Sequence, residues 1–203
     1  MNINFTNLTK LVKPKGVIHV GANTCQELPL YLEHGIENRL WIEGNKEIAD
    51  KTRELTNETI LCAYVSLGES INKVYEASNN SESSSILIPN KHTELYPEIE
   101  FKDSFLIRSF TLNRLLSMVD YDKFNYLILD IQGAELKALQ GLGKFVNHFD
   151  VIITEAYTEE LYQDCGKLGE IEALLSSYKL IEFAEEVGKG WGDAAFVRKD
   201  LLV

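Results

Sequence analysis

Three acidic residues stand where apolar runs stop. Glu43 follows NRLWI, Asp130 follows YLIL and Glu155 follows FDVIIT. Each run reads as a buried strand. In an open parallel sheet, ligands bind beyond the carboxyl ends of the strands, so all three carboxylates fall on the ligand face, where a purely structural acid is less expected. A further run, GVIHV, ends in Gly21-Ala22-Asn23. Glycine there allows a tight turn and close backbone approach. Asn23 falls at the start of the next helix, whose free N–H groups receive an anion such as a carboxylate. Glu43 lies 22 residues beyond Gly21, a spacing that suits an acid bonding a ribose diol. Asp130 and Glu155, on neighbouring strand ends, are candidates for a general base, for orienting an acceptor hydroxyl, or for holding Mg²⁺ with water. For Asp130 the alternative is a cap on the helix that starts near Gly133 to Glu135.

Missing motifs narrow the chemistry. The run after the glycine turn is Gly21-Ala22-Asn23-Thr24-Cys25-Gln26, not the G-x-G-x-x-G of dinucleotide sites, so adenosine without phosphates suits it better than a dinucleotide. There is no P-loop and no G-x-S-x-G elbow. His19, His34, His92 and His148 lack zinc-ligand spacing.

These residues need a scaffold, and the patterning supplies one. Strands at 16–21, 38–43 and 58–65 alternate with helices at 25–34 (Leu28, Tyr31 and Leu32 on one face) and 46–55, the rhythm of a parallel sheet with helices on its faces. Residues 66–104, with SNNSESSS at their centre, break that rhythm and read as an excursion on the acceptor side. A strand at 105–110 and a helix at 111–118, capped by Thr111, follow. Strands at 126–131 and 149–155 enclose a helix at 135–142. A helix at 168–177 leads to strands at 178–186 and 194–198, a closing hairpin through VGKGWGD on an otherwise parallel sheet. The expected class is α/β, in one domain spanning 1–203.

Composition excludes some partners. The 203 residues carry a net charge of −11, which disfavours general nucleic-acid binding and docking on anionic membranes. No run of about 18 apolar residues spans a membrane, and the N-terminus lacks the apolar core of a signal peptide. Cys25, Cys62 and Cys165 are odd in number and widely spaced, so reduced thiols in the cytoplasm are expected. Tripeptides N-x-S/T at Asn4, Asn7, Asn57 and Asn79 then read as chance.

Taken together, VIHVGANTCQE, WIEGNKE, the SSSIL segment, LDIQGAELKALQG and VIITE resemble the FkbM-type family of S-adenosylmethionine-dependent O-methyltransferases, in order from about Gly16 to Glu155. The block from Leu129 to Gly141 is the specific part. The resemblance implies a Rossmann-like methyltransferase fold: a mostly parallel seven-stranded sheet, helices on both faces and an antiparallel C-terminal strand. It implies methylation of hydroxyls, often on sugars, with deoxysugars such as rhamnose or fucose among the acceptors. It places Gly21, Ala22 and Asn23 in the first cofactor loop, Glu43 at the cofactor ribose and Ser66 at the adenine. Asp130, Gln132, Gly133 and Glu135 match the D-x-E/Q-G-x-E block, with Asp130 and Gln132 also expected at the cofactor, and Glu155 matches the next strand's acid. His19 stands where an acid is common and Cys25 where a glycine is common; His19 is either a buried strand histidine or reaches the cofactor's amino-acid end.

The expected reaction is in-line attack of a sugar hydroxyl on the sulfonium methyl, with Asp130 as base or orienting group and Glu155 sharing the acceptor. Ser84, in the serine run, is an expected pocket hydroxyl. His92 is either an alternative base or a solvated loop residue. Tyr157 and Trp191, with Tyr96, are either faces for a sugar or core and rim. Competing readings are a nicotinamide-dependent oxidoreductase, disfavoured by the missing glycines and the lack of Tyr-x-x-x-Lys, and a non-catalytic glycan- or partner-binding module. The chain could also be one domain of a larger glycan-building protein.

Overall fold

The computed structural model describes residues 1–102 and 105–202. In chain order the elements are α1 (Phe5–Leu11), β1 (Gly16–Val20), α2 (Leu28–Glu33), β2 (Asn38–Glu43), α3 (Lys46–Thr56), β3 (Ile60–Cys62), β4 (Tyr64–Val65), β5 (Ile71–Lys73), β6 (Glu76–Ala77), α4 (His92–Leu95), β7 (Phe101–Lys102), β8 (Leu106–Phe110), α5 (Leu112–Leu116), β9 (Tyr126–Leu129), α6 (Glu135–Gln140), β10 (Val151–Tyr157), α7 (Leu168–Leu174), β11 (Tyr178–Glu185) and β12 (Trp191–Arg198). The last two residues of the 66–104 excursion lie outside the described residues.

Seven strands form the main sheet, in the order β3-β2-β1-β9-β10-β12-β11. The strands from β3 to β10 run parallel, and β12 is antiparallel to both β10 and β11. From β1 the chain winds outward to β3, then returns to β9 on the other side of β1. The carboxyl ends of β1 and β9 therefore open a crevice at the point where strand order reverses.

Strand periodicity sorts the core into two layers. Ile18 and Val20 of β1 join Leu40, Ile42, Leu127, Leu129 and Ile152 against Leu112 and Leu116 of α5, Ala138 and Leu139 of α6 and Ile171 of α7. Val17 joins Trp41, Tyr126, Ile128 and Ile153 against Phe5 and Leu8 of α1, Tyr31 of α2 and Ala49 of α3. All five β1 residues are buried, as a central parallel strand covered on both faces requires.

Four sequence expectations are corrected. The 58–65 run does not stay in one sheet. It breaks after Cys62, and Tyr64–Val65 pairs with Ser109–Phe110 of β8 in a separate three-stranded sheet with β5. The 105–110 run therefore lies outside the main sheet. The helix expected at 25–34 is shorter, because Cys25 adopts a positive φ of 57°, and Leu32 is exposed whereas Tyr31 is buried. Strands β10 and β12 run further than their apolar patterns suggest, because antiparallel pairing continues through Glu155↔Asp193 to Tyr157↔Trp191.

Thr111 caps α5 as expected: its side chain accepts from the Arg114 N–H at 3.2 Å. Thr111→Ala is expected to cost about 1 kcal/mol in urea denaturation. An unchanged midpoint would show that the cap contributes nothing.

Candidate active site

Gly21 closes β1 with φ +87°, and a Cβ there would lie 1.7 Å from the Asp130 carbonyl oxygen. Only glycine allows this contact. It locks the turn after β1 onto the backbone after β9. The Gly21 and Ala22 N–H groups donate to the Ile42 carbonyl at 2.9 and 3.1 Å, which draws the turn against β2. Asn23 has φ 41°, and its N–H donates to Glu43 Oε2 at 2.7 Å. Glu43 Oε1 accepts from the Asn45 N–H at 2.7 Å. Burial pushes the Glu43 pKa up, and these backbone donors oppose that shift. Asn23 Oδ1 is buried without a partner. Cys25, beside this turn, is an inert thiol, its pKa pushed up to about 12 by burial.

The other half of the site follows β9. The Asp130 N–H donates to the Val20 carbonyl at 2.9 Å, so Asp130 continues the β1–β9 ladder past the strand end. Gln132 and Gly133 both take positive φ, 53° and 96°. This turn folds the Gln132 side chain back, so that Nε2 donates to Asp130 Oδ1 at 2.8 Å and to Glu155 Oε2 at 3.3 Å. The Tyr157 hydroxyl also donates to Glu155 Oε2. Glu135 Oε1 accepts from the Ile131 N–H at 2.8 Å, and its Oε2 is buried without a partner. Residue Ala134, not Asp130, is the N-cap of α6, so the capping alternative for Asp130 is not what the fold uses.

Three carboxyl groups thus meet in different surroundings. Glu135 is 1 % exposed and Glu155 7 %, while Asp130 opens onto the cavity. Burial, then the neighbouring carboxylates Asp130 and Glu135, hold the Glu155 pKa far above the carboxylate range. Burial also raises Glu135, to about 8. Enclosure in the cavity raises Asp130 to about 6, with the Gln132 amide pulling the other way and the charges of Asp193 and Glu27 adding to the rise. At pH 7 Asp130 is the ionised member.

A cavity of about 390 Å³ joins the two halves, within the range of small-molecule sites. Residues 79–85 cover it. Their Asn80 carbonyl accepts from Asn23 Nδ2 at 3.2 Å, Ser81 Oγ from Asn45 Nδ2 at 3.3 Å, and Glu82 Oε1 from Gln26 Nε2 at 3.1 Å. One wall is aromatic: Trp191 Nε1 donates to the Tyr96 hydroxyl at 3.0 Å, and the His92 ring packs against Tyr96 and Tyr162 at 5.0 and 5.3 Å.

Of the residues singled out from sequence, Gly21, Ala22, Asn23, Glu43, Ser84, His92, Asp130, Gln132, Glu155, Tyr157 and Trp191 line this cavity, and His19 and Ser66 do not. His19 sits behind the wall, stacked on Trp41 at 5.0 Å and bonded to the Tyr31 hydroxyl at 2.9 Å. Burial lowers its pKa to about 4, so it is neutral. Ser66 has passed the sheet edge: its N–H donates to Phe110 of β8 at 3.0 Å, and Ala63, Tyr64 and Val65 line the cavity instead. His92 is 4 % exposed, which corrects the solvated reading. Glu27, Asn45, Tyr162 and Asp193 also line the cavity and carried no signal in the sequence. Among the described residues no group of three or more His, Cys, Asp or Glu could hold a metal ion. Asp130 and Glu155, the two carboxyls that would share Mg²⁺, belong to no such group, so a Mg²⁺ site is not supported.

The raised Glu135 pKa has a stability consequence. The folded state holds that proton more tightly than the unfolded chain, so this contribution is full below the ordinary carboxylate range and is lost as pH rises through about 8. Glu135→Gln removes the titration, and its Tm is expected to fall less than wild type between pH 5 and 9, the range that spans that pKa. Parallel Tm–pH curves would contradict this assignment.

Comparison with known proteins agrees with the geometry. The family model for the methyltransferase FkbM domain matches residues 19–181. No curated protein matches. The fold is similar to a crystal structure of MtNAS in complex with MTA and tNA, at 10% identity and TM-score 0.51, covering 96% of this chain and 57% of that one. This chain therefore spans little over half of that protein's length. It is also similar to the PH0226 protein from Pyrococcus horikoshii OT3, at 11% identity and TM-score 0.51, covering 96% and 87%. No helix among the described residues is long and apolar enough to cross a membrane. With its sheet order, its glycine turn and its acid-bearing strand ends accounted for, the chain belongs to the FkbM methyltransferase domain family.

Proposed function

We propose that this domain methylates a hydroxyl of a sugar or glycan acceptor. The observation that carries this reading is Asp130: a carboxylate open to the cavity, held by Gln132, between the glycine-turn half and the aromatic wall. The cofactor fits the first half. Gly21 lets the turn pack on the Asp130 backbone beside the cavity, Asn23 Oδ1 is an unpartnered buried acceptor, and Glu43 ends β2 where a ribose diol would lie. S-adenosylmethionine, when bound, supplies a methyl group on a sulfonium, already a strong electrophile.

The residues of the chain do the remaining work. Gly21, Ala22, Asn23 and Glu43 hold the cofactor. Asp130 orients the acceptor hydroxyl and takes its proton as the oxygen–carbon bond forms and the carbon–sulfur bond breaks. Glu155, neutral at pH 7, keeps a second negative charge from the attacking oxygen. Tyr96, Tyr157 and Trp191 offer ring faces and hydroxyls to a sugar, and Ser84 a further hydroxyl. His92, whose Nδ1 is buried without a partner, is the second candidate for the acceptor's proton. The remaining readings separate on ligand binding: an oxidoreductase takes NAD(P), and a non-catalytic module takes neither cofactor. We read the 203 residues as one catalytic domain acting in the cytoplasm, where its free thiols stay reduced.

Asp130→Asn is expected to keep S-adenosylhomocysteine affinity, measured by calorimetry, and to lose about 10²-fold or more in methyl transfer to the acceptor found by screening deoxysugar glycosides. Full turnover in this variant would remove Asp130 from the reaction and leave His92 as the base. In wild type, kcat/KM is expected to rise about tenfold per pH unit below the Asp130 pKa of about 6 and level off above it. A rate independent of pH from 5 to 8, the span on either side of that pKa, would contradict the assignment.

A further inference from the structure

Tyr162 lies in the segment after β10, 0 % exposed. Its hydroxyl is 3.0 Å from Gln132 Oε1 and 3.0 Å from the Ser83 carbonyl. A phenol has one proton to donate, so these two acceptors share it. At its other end the Gln132 amide faces Asp130 and Glu155. An amide carries acceptor and donor on opposite sides, so an O–H donor at Oε1 directs Nε2 toward the carboxyl pair. Gly133 fixes the approach, since a Cβ there would lie 3.1 Å from the Tyr162 side chain. The Gln132 backbone is tied to the cover as well, because its carbonyl accepts from Ser85 Oγ at 2.6 Å.

The structure assigns Tyr162 as the positioning residue for the site: its hydroxyl fixes the Gln132 amide, which holds Asp130 Oδ1 and leaves Oδ2 for the acceptor. The same hydroxyl also reaches the Ser83 carbonyl in the cover. Tyr162 touches no reacting atom; it acts through Gln132. The consequence for methyl transfer rests on the function proposed above, whereas the positioning itself does not.

The test reads the amide directly. The side-chain ¹⁵N–¹H₂ signals of Gln132, assigned by their loss in Gln132→Glu, are followed by hydrogen exchange in the full chain, with and without S-adenosylhomocysteine. In wild type they are expected to be protected. In Tyr162→Phe they are expected to exchange about tenfold faster, with S-adenosylhomocysteine affinity unchanged. Ser81→Ala removes one contact between the cover and Asn45 and is expected to leave the Gln132 signals as in wild type. Unchanged exchange in Tyr162→Phe would overturn the inference, as would equal acceleration in Ser81→Ala, which would mark a general loosening of the cover. Should Tyr162→Phe not fold, the wild type decides: a Gln132 amide exchanging as fast as exposed glutamines overturns the assignment. Failure of wild type to bind S-adenosylhomocysteine, with the amide still protected, would strike the proposed function and leave the positioning role standing.

Discussion

Three carboxyl groups converge where β9 ends beside the longer β10, and they cannot all be charged. Like charges brought together in a poorly solvated place raise one another's pKa. The fold settles the conflict by unequal exposure. Glu135 and Glu155 are buried, while Asp130 is the exposed one of the three on the cavity wall, so among them the negative charge collects on Asp130. The Gln132 amide joins Asp130 to Glu155 and needs the left-handed turn at Gln132 and Gly133 to reach them.

The glycine turn depends on the same place. Gly21 packs on the Asp130 carbonyl, and Asp130 extends the β1 ladder. Displacing one turn displaces the other. The two halves are nevertheless built differently. On the glycine side, contacts are made largely by backbone: the N–H groups of Gly21, Ala22, Asn23 and Asn45 and the carbonyl of Ile42. On the aromatic side, they are made by the side chains of Gln132, Tyr157, Tyr162 and Trp191.

What the sequence showed of this site follows from the physics of strands. A strand buried on both faces must be apolar, so the residue where polarity resumes marks the ligand end. That rule located Gly21, Glu43 and Asp130 in the crevice, and the resemblance extended it to Gln132. It failed where pairing partners decide. Glu155 lies two residues inside β10 because the antiparallel β12 extends the ladder. Ser66 left the cavity because β4 pairs with β8 rather than continuing β3. His19 obeys the alternation of β1 and falls on the Trp41 side. Tyr162 and Asp193 carry no periodic signal, since one sits in an irregular segment and the other on a strand whose neighbour cannot be read from the chain. Residues 79–85 read as part of a polar excursion with Ser84 as an expected pocket hydroxyl; their role as a cover rests on single hydrogen bonds to Asn23, Gln26 and Asn45, which are distant in sequence.

The central claim is that at neutral pH one of the three carboxyl groups carries the charge. It is tested most directly by ¹³C NMR of the Asp and Glu side-chain carboxyls across pH, with Asp130, Glu135 and Glu155 assigned through their amide variants. Asp130 titrating near 6 while Glu135 and Glu155 remain protonated at pH 7 is the expected result. A protonated Asp130 at pH 7, or an ionised Glu155, would contradict it.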